Sequence, residues 1–230
     1  MKKAARRGES AKSRAERAHR IAAELARLYP QARISLNFET AWQCLAATIL
    51  SAQCTDARVN KVTPALFRKY PDAYAIDAAD IEDLQRMIVD TGFFRQKARA
   101  LKASAHEIVE RFGGRVPETM EDLLSLHGVG RKTANVVLGH VHGKSGMVVD
   151  THVRRVSRRL GLTANADADK IEIDLAKLLP APEWTPFSMR VILHGRQICN
   201  ARRPKCEACA LLPECPQIGV KRSRGSSRED

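Results

Sequence analysis

Residues 126–134 read Leu-His-Gly-Val-Gly-Arg-Lys-Thr-Ala, and two glycines in this segment stand directly before a run of helix-forming residues. Apolar residues recur at helical spacing over Glu118–Leu126 and again over Arg131–Val141. Gly128 is placed to end the first helix, and Gly130 lets the backbone turn sharply into the second. The stretch therefore predicts two helices joined by a short glycine hairpin.

This hairpin offers hydrogen-bond donors to a phosphate group. The amides of Gly128, Gly130 and the first turn of the second helix are free to donate, and the helix dipole is positive there. Arg131 and Thr133 belong to the same predicted contact surface. Such contacts position a protein on DNA without reading its sequence. An ordinary corner between two helices is the alternative interpretation.

Lys132 stands on the first turn of the second predicted helix. The positive helix end and partial burial favour the neutral amine there, and a neutral amine is a nucleophile. A phosphate-binding cation is the alternative, and composition cannot separate the two. Asp150 occupies the N-cap position of a helix predicted over Thr151–Leu160. Alone it would be a structural cap, and only its pairing with Lys132 favours a catalytic role on one deoxyribose.

The rest of the chain also reads as helices, without sustained strand alternation, which indicates an all-α fold. Residues 1–20 are rich in Lys and Arg and are predicted to be a basic flexible arm that binds nucleic acid. Residues 219–230 are predicted to be a frayed tail. Further helices are predicted over Ile21–Leu28, Ala168–Leu179 and Pro186–Ile198.

The charge balance favours a polyanionic partner, because 39 Lys and Arg residues face 26 Asp and Glu residues and give a net charge of +13. A basic, well-solvated surface without a specific partner is the alternative. No stretch of about eighteen apolar residues is present, so we expect no membrane partner. We expect a monomer in the cytoplasm with the nucleoid if the source is bacterial, or in the nucleus or mitochondria if it is eukaryotic.

Four of the six cysteines fall in the last third of the chain, with the spacing C-x6-C-x2-C-x5-C. Four thiolates at this spacing suit a tetrahedral zinc or a 4Fe–4S cluster, and the spacing alone favours iron–sulfur because only one pair is a close C-x2-C. Between the first two ligands lies a basic loop that could contact phosphate or simply be solvated. The predicted ligands are Cys199, Cys206, Cys209 and Cys215, and the loop carries Arg202, Arg203 and Lys205.

Taken together, these residues resemble the endonuclease III family of DNA glycosylases, within the helix-hairpin-helix superfamily. The resemblance extends from about Ile21 to Ile218. Its markers are the strings LSAQCTD (residues 50–56), VNK (59–61), GVGRKTANVVL (128–138), VDTH (149–152) and LHGR (193–196), the last leading to the cysteines.

The resemblance implies a two-lobed, all-α glycosylase fold. Residues 34–144 would form a six-helix barrel domain with the helix-hairpin-helix, and residues 21–33 with 145–218 would form a domain holding a 4Fe–4S cluster. It implies a base excision repair enzyme that flips an oxidised pyrimidine out of double-stranded DNA and removes it. The same enzyme would cleave the resulting abasic site by β-elimination.

The resemblance also assigns individual roles. Lys132 would attack C1′ and form a Schiff base, while Asp150 would help to activate the amine and stabilise positive charge on the sugar. Gln53 would fill the gap left by the everted base. Phe93 would be a second wedge, where the family often carries an aliphatic residue, although a core aromatic is the alternative. His152 is assigned to DNA contact.

Two other functions are open alternatives. Monofunctional adenine-mismatch glycosylases resemble this chain in hairpin and cysteines, but they lack the lysine and carry a glutamate on the early helix, whereas Trp42–Gln53 contains none. A non-catalytic helix-hairpin-helix module would account for the charge and the glycines. It would leave the pairing of Lys132 with Asp150 unexplained.

Overall fold

A computed structural model of the protein describes residues 9–220. Within that range the structure consists of eleven α-helices with short 3-10 turns and contains no β-strand, so the all-α prediction is confirmed. None of the described helices combines the length and hydropathy that a membrane span requires. In chain order they are α1 (Ala11–Leu28), α2 (Ala41–Leu50), α3 (Asp56–Lys69), α4 (Ala73–Asp77), α5 (Ile81–Ile88), α6 (Phe94–Phe112), α7 (Met120–Leu124), α8 (Arg131–His140), α9 (Thr151–Arg159), α10 (Ala168–Ala176) and α11 (Trp184–Gln197).

The chain divides into two compact units. Unit 1 combines Met1–Ala32 with Val149–Asp230, and unit 2 is the continuous segment Arg33–Val148. Every residue of unit 2 is described, and it carries seven α-helices, α2 to α8, where six were expected. Two of them, α4 and α7, are only five residues long.

Helix α6 is central to unit 2, because α2, α4 and α5 all pack against it. Its apolar stripe of Leu101, Ala105 and Ile108 is completely buried. Burying one leucine or isoleucine side chain stabilises a fold by roughly 1.5–3 kcal/mol. Five of the other six helices of this unit begin at a Thr or Asp whose side chain accepts a backbone amide of the first turn; these caps are Thr40, Thr55, Asp72, Asp80 and Thr119.

In unit 1, helix α11 packs against α1 and α9. The approach to α9 is so close that a methyl group at Gly195 would lie 3.0 Å from the Cβ of His152. Phe187 and Val191 of α11 are fully buried in this core. The glycine therefore allows the backbone of α11 to lie directly on α9.

The prediction of a flexible arm is wrong for residues 11–20, because α1 begins at Ala11 behind the capping side chain of Ser10. Charges that resemble a solvated arm are in fact paired. Arg17 is 1% exposed and its Nε donates to the carboxylate of Glu9 at 2.8 Å. Arg20 forms an ion pair of 2.7 Å with Glu214. Residues 1–8 and 221–230 lie outside the described range.

Candidate active site

The predicted hairpin lies between α7 and α8, but its first helix is shorter than expected. Helix α7 ends at Leu124 with Ser125 as its C-cap, so Gly128 belongs to the following turn and does not end the helix. Polar side chains of α6 hold that turn. Ser104 donates to the carbonyl of His127, and the His127 amide donates to Glu107 Oε2 at 2.7 Å. The turn is therefore fixed on the central helix of unit 2.

The two glycines of the hairpin differ in what requires them. Gly128 has φ +76°, and a methyl group there would lie 2.8 Å from the Cβ of Ala100 on α6. Gly130 has φ −97° and ψ 173°, an extended conformation that any residue adopts, and a methyl group there would meet open space. The second helix begins at Arg131, as predicted, but Gly130 leads into it without a conformation that only glycine adopts. Neither the backbone conformation nor the packing requires a glycine at position 130. A glycine there does leave the backbone open to the close approach of a ligand.

This difference predicts three stability values. Gly128→Ala should lower the free energy of unfolding by about 1–2 kcal/mol for the left-handed backbone and by roughly a further 1 kcal/mol for overpacking against Ala100. Gly113→Ala is the matched control, since φ is +57° there and an added methyl group would meet no atom within 4 Å. It should lose only the contribution of the left-handed backbone, about 1–2 kcal/mol. Gly130→Ala should leave stability within about 0.5 kcal/mol of the parent. Urea unfolding of the full chain measures all three, and equal losses at Gly128 and Gly113 would contradict the packing argument.

Helix α8 begins beyond Gly130 without a side-chain cap. Within residues 9–220, the amides of Gly128 and Gly130 find no hydrogen-bond acceptor. Lys132 is exposed on the first turn, so the partial burial expected of it is not found. Arg131 and Thr133 beside it are half-buried. This helix start presents donors and a positive side chain to the outside, which is the arrangement that binds an anion.

The N-cap predicted at Asp150 is present in unit 1. Its Oδ1 accepts the amides of His152 and Val153, each at 2.8 Å, and opens α9. The residue itself is half-buried. The capping role is therefore established, and the catalytic role of Asp150 stays a prediction.

His152 is held by neighbours within unit 1. Its Nδ1 lies 3.1 Å from Arg155 Nη2, and the same guanidinium donates to the carbonyl of Gly195 at 2.9 Å. Burial lowers the pKa of His152. These contacts give the imidazole a packing role between α9 and α11, and its predicted contact with DNA stays a prediction.

Gln53 and Phe93 of unit 2 share an unusual backbone. Both have positive φ, +52° and +49°; Gln53 lies in the turn between α2 and α3, and Phe93 stands directly before α6. Such a conformation costs a residue with a side chain roughly 1–2 kcal/mol. Gln53 is exposed and Phe93 is 59% exposed, so the alternative of a core aromatic is wrong. Strain and exposed apolar surface together are typical of functional positions.

The four predicted ligand cysteines line one cleft of unit 1, which has an empty volume of about 370 Å³ including the solvent at its mouth. All four are free thiols. Within residues 9–220, no three His, Cys, Asp or Glu side chains converge at metal-binding distance. Burial raises the pKa of Cys215 to about 11 and also raises the pKa of Cys209.

The walls of this cleft direct donors at two of the sulfurs. Arg159 Nη1 lies 3.3 Å from Cys199 Sγ, and the Gln217 amide lies 3.4 Å from Cys215 Sγ. Donors to sulfur are among the features by which proteins hold and tune iron–sulfur clusters. Nε2 of His194 lies 3.6 Å from Cys209 Sγ.

The basic loop after Cys199 is well ordered by hydrogen bonds. Arg159 donates to the carbonyls of Asn200 and Ala201 at 2.7 and 2.8 Å, and the amide of Lys205 donates to the Ile198 carbonyl at 2.9 Å. The charged side chains themselves are exposed. The loop can therefore present a fixed array of positive charge, which is formed by Arg202, Arg203 and Lys205.

The structure thus distributes the predicted residues over both units. Unit 2 holds Gln53, Phe93, Gly128, Gly130, Arg131, Lys132 and Thr133, and unit 1 holds Asp150, His152, the four cysteines and the basic loop.

Comparison with known proteins identifies the family. A family model described as the HhH-GPD superfamily of base excision DNA repair proteins matches residues 46–181, which include the hairpin, Lys132 and Asp150. The endonuclease III of Synechocystis sp. is 54% identical over 205 residues, which cover 89% of this chain and 94% of that protein. The endonuclease III of Bacillus subtilis is 40% identical over 200 residues, which cover 86% of this chain and 90% of that protein.

Solved structures give the same result. A non-covalent endonuclease III–DNA complex and a trapped endonuclease III–DNA covalent intermediate each match with a TM-score of 0.84 at 39% sequence identity. Both matches cover 87% of this chain, with 94% of the first solved chain and 95% of the second. The chain therefore belongs to the endonuclease III family, within the HhH-GPD superfamily of base excision DNA repair proteins.

Proposed function

We propose that this chain is a base excision repair DNA glycosylase and abasic-site lyase that acts as a monomer on double-stranded DNA and removes oxidised pyrimidines. The observation that carries the proposal is the exposed Lys132 at the start of α8, directly after Gly130, where an added methyl group would meet open space. Amides and helix dipole bind a phosphate, and a phosphate held there brings the adjoining sugar to the amine. A solved relative was trapped as a covalent intermediate with DNA, which supports amine attack.

In the proposed chemistry Lys132 Nζ is the nucleophile, and it attacks after it has lost a proton. Nζ forms a bond to C1′, and the bond from C1′ to the base breaks, so that the base leaves with the electron pair and takes up a proton. The bond from C1′ to O4′ then breaks, O4′ takes up a proton from Nζ, and the Schiff base between C1′ and Nζ is formed. Loss of a C2′ proton expels the 3′ phosphate by β-elimination, and water releases the lysine. Asp150 stabilises the positive charge that develops on the sugar.

A panel of duplexes, each with one lesion, tests the function. We expect the protein to excise thymine glycol and to cleave at an abasic site, and we expect borohydride to trap it covalently on both. A monofunctional adenine-mismatch glycosylase would instead excise adenine opposite oxidised guanine without being trapped. A non-catalytic module would bind all duplexes and convert none, and either of those results rejects the proposal.

Asp150→Asn tests the role proposed for the carboxylate. Asparagine also caps helices well, so stability should change little, while base excision should slow by about a hundredfold because an oxyanion opposite the developing charge is lost. Asp167→Asn is the matched control, since Asp167 caps α10 of the same unit through the Lys170 amide at 3.0 Å. Single-turnover excision of thymine glycol measures the effect. Normal rates in Asp150→Asn would make this residue a cap and nothing more.

The 4Fe–4S cluster is the cofactor that we propose for unit 1. Four thiols line one cleft, and a guanidinium and a backbone amide point at two of the sulfurs. Cys199, Cys206, Cys209 and Cys215 would hold the cluster, which would supply a structural crosslink for the basic loop. Held in this way, Arg202, Arg203 and Lys205 would contact DNA phosphates, and the sugar chemistry would remain with Lys132.

A further inference from the structure

Lys97 is a charged residue in the apolar stripe of α6. It precedes Leu101 by one helical turn, and its side chain is 5% exposed. A buried ammonium is unfavourable unless it is hydrogen-bonded. Nζ of Lys97 donates to the carbonyl of Thr91 at 2.7 Å, and burial lowers the pKa of this lysine. The barrel core of unit 2 therefore contains one cation that is directed at the turn preceding α6.

That turn carries the exposed ring of Phe93. Lys97 contacts both ends of it, because the side chain binds the Thr91 carbonyl and the Lys97 amide binds the Phe93 carbonyl at 3.1 Å. Thr91 is itself buried, and its Oγ1 donates to the carbonyl of Ile88 at 2.8 Å. Gly92, with φ +68°, and Phe93, with φ +49°, lie between these fixed points. Two consecutive residues with positive φ thus lie between contacts made by buried groups.

We propose that Lys97 is a positioning residue for base eversion, which holds the turn of Phe93 so that the ring is presented rigidly to the DNA base stack. The inference rests on the proposed function, and it assigns Lys97 no contact with DNA or with the reacting atoms. A ring held in advance enters the stack without an ordering cost. A ring on a loose turn must be ordered during each eversion, which slows removal of a paired base but spares an abasic site.

A double-mutant cycle between Lys97→Met and Phe93→Ala tests this. Methionine keeps an unbranched side chain in the core and removes only the ammonium. We expect Lys97→Met to slow single-turnover excision of paired thymine glycol by roughly tenfold, and cleavage at a preformed abasic site by less than about threefold. In the Phe93→Ala background, Lys97→Met should slow excision of thymine glycol by less than about twofold, because the ring that Lys97 positions is absent.

Lys102→Met is the matched control, since Lys102 also lies on α6 and its Nζ donates to the carbonyls of Asp77 and Ala79, away from the Phe93 turn. Lys102→Met should leave unchanged the ratio of the excision rate on thymine glycol to the cleavage rate at an abasic site. Fluorescence of an environment-sensitive purine opposite the lesion gives a second readout, and its eversion signal should fall in Lys97→Met only. Additive losses in the cycle, or equal losses on both substrates, would overturn the proposal.

If Lys97→Met does not fold by circular dichroism, the cycle is repeated with Lys97→Arg, which retains the charge but alters its reach to Thr91. The same interaction with Phe93 is expected, and additivity would again reject the role of Lys97. Wild-type protein on both substrates separates this inference from the function on which it rests. An inactive wild type rejects both, whereas an active wild type with an additive cycle rejects only the inference.

Discussion

Replacing Lys132 by alanine is expected to abolish borohydride trapping on damaged DNA and to lower base excision on the order of 10⁴-fold or more, which is typical when a covalent nucleophile is removed. No Schiff base can form without Nζ, and the exposed position of Lys132 means that alanine leaves no cavity. Affinity for an abasic duplex should fall by only a few-fold, since Lys132 is one of several cations that we propose to contact phosphate. Gel-resolved trapping and single-turnover kinetics measure the two effects.

Lys144→Ala provides the matched control for that experiment. Lys144 is also exposed and also belongs to unit 2, but its Nζ donates to the carbonyl of Glu118. We expect its trapping to equal that of the parent. Undiminished trapping in Lys132→Ala would place the nucleophile at another amine and leave Lys132 as a phosphate contact.

Cys209→Ser is expected to remove the visible absorption of the iron–sulfur cluster and to unfold the part of unit 1 around the basic loop. Structural metal sites contribute on the order of 10 kcal/mol to folding, so loss of one ligand exceeds what a small core can replace. Limited proteolysis of the full chain should then cut within residues 199–215, while unit 2 stays resistant. Iron and sulfide analysis of the purified parent supplies the reference.

Cys54→Ser is the control, because Cys54 is a half-buried thiol of unit 2 outside the predicted ligand set. It should keep the full absorption. Zinc instead of iron in the parent, or unchanged absorption in Cys209→Ser, would contradict the cluster assignment.

Local rules in the sequence predicted much of this protein. Helical periodicity located the helices of both units, since buried stripes such as that of α6 repeat every three to four residues. Asp150 before an amphipathic run predicted the cap that α9 has. These features depend on neighbours within one helical turn, so a single sequence contains the information.

Features that depend on distant partners were harder to predict. Residues 11–20 resemble a solvated arm because the partners of Arg17 and Arg20 include Glu214 and the carbonyl of Leu160, far along the chain. The left-handed backbone at Phe93 has no local marker except the preceding glycine. Lys97 does have a local marker in the sequence, because it is a lysine in the apolar stripe that continues through Leu101. That position is buried.

The connection of Arg17 to both Leu160 and Glu214 has a consequence for synthesis of the chain. The carbonyl partner of Arg17 at Glu214 is synthesised 197 residues after the arginine. At about 5–20 residues per second, the Arg17 guanidinium waits roughly ten to forty seconds for that partner. Residues 33–148 are continuous and can fold during this interval. In nascent chains, unit 2 with its hairpin and Lys132 should therefore fold before unit 1, which contains α1 and the four cysteines, is complete.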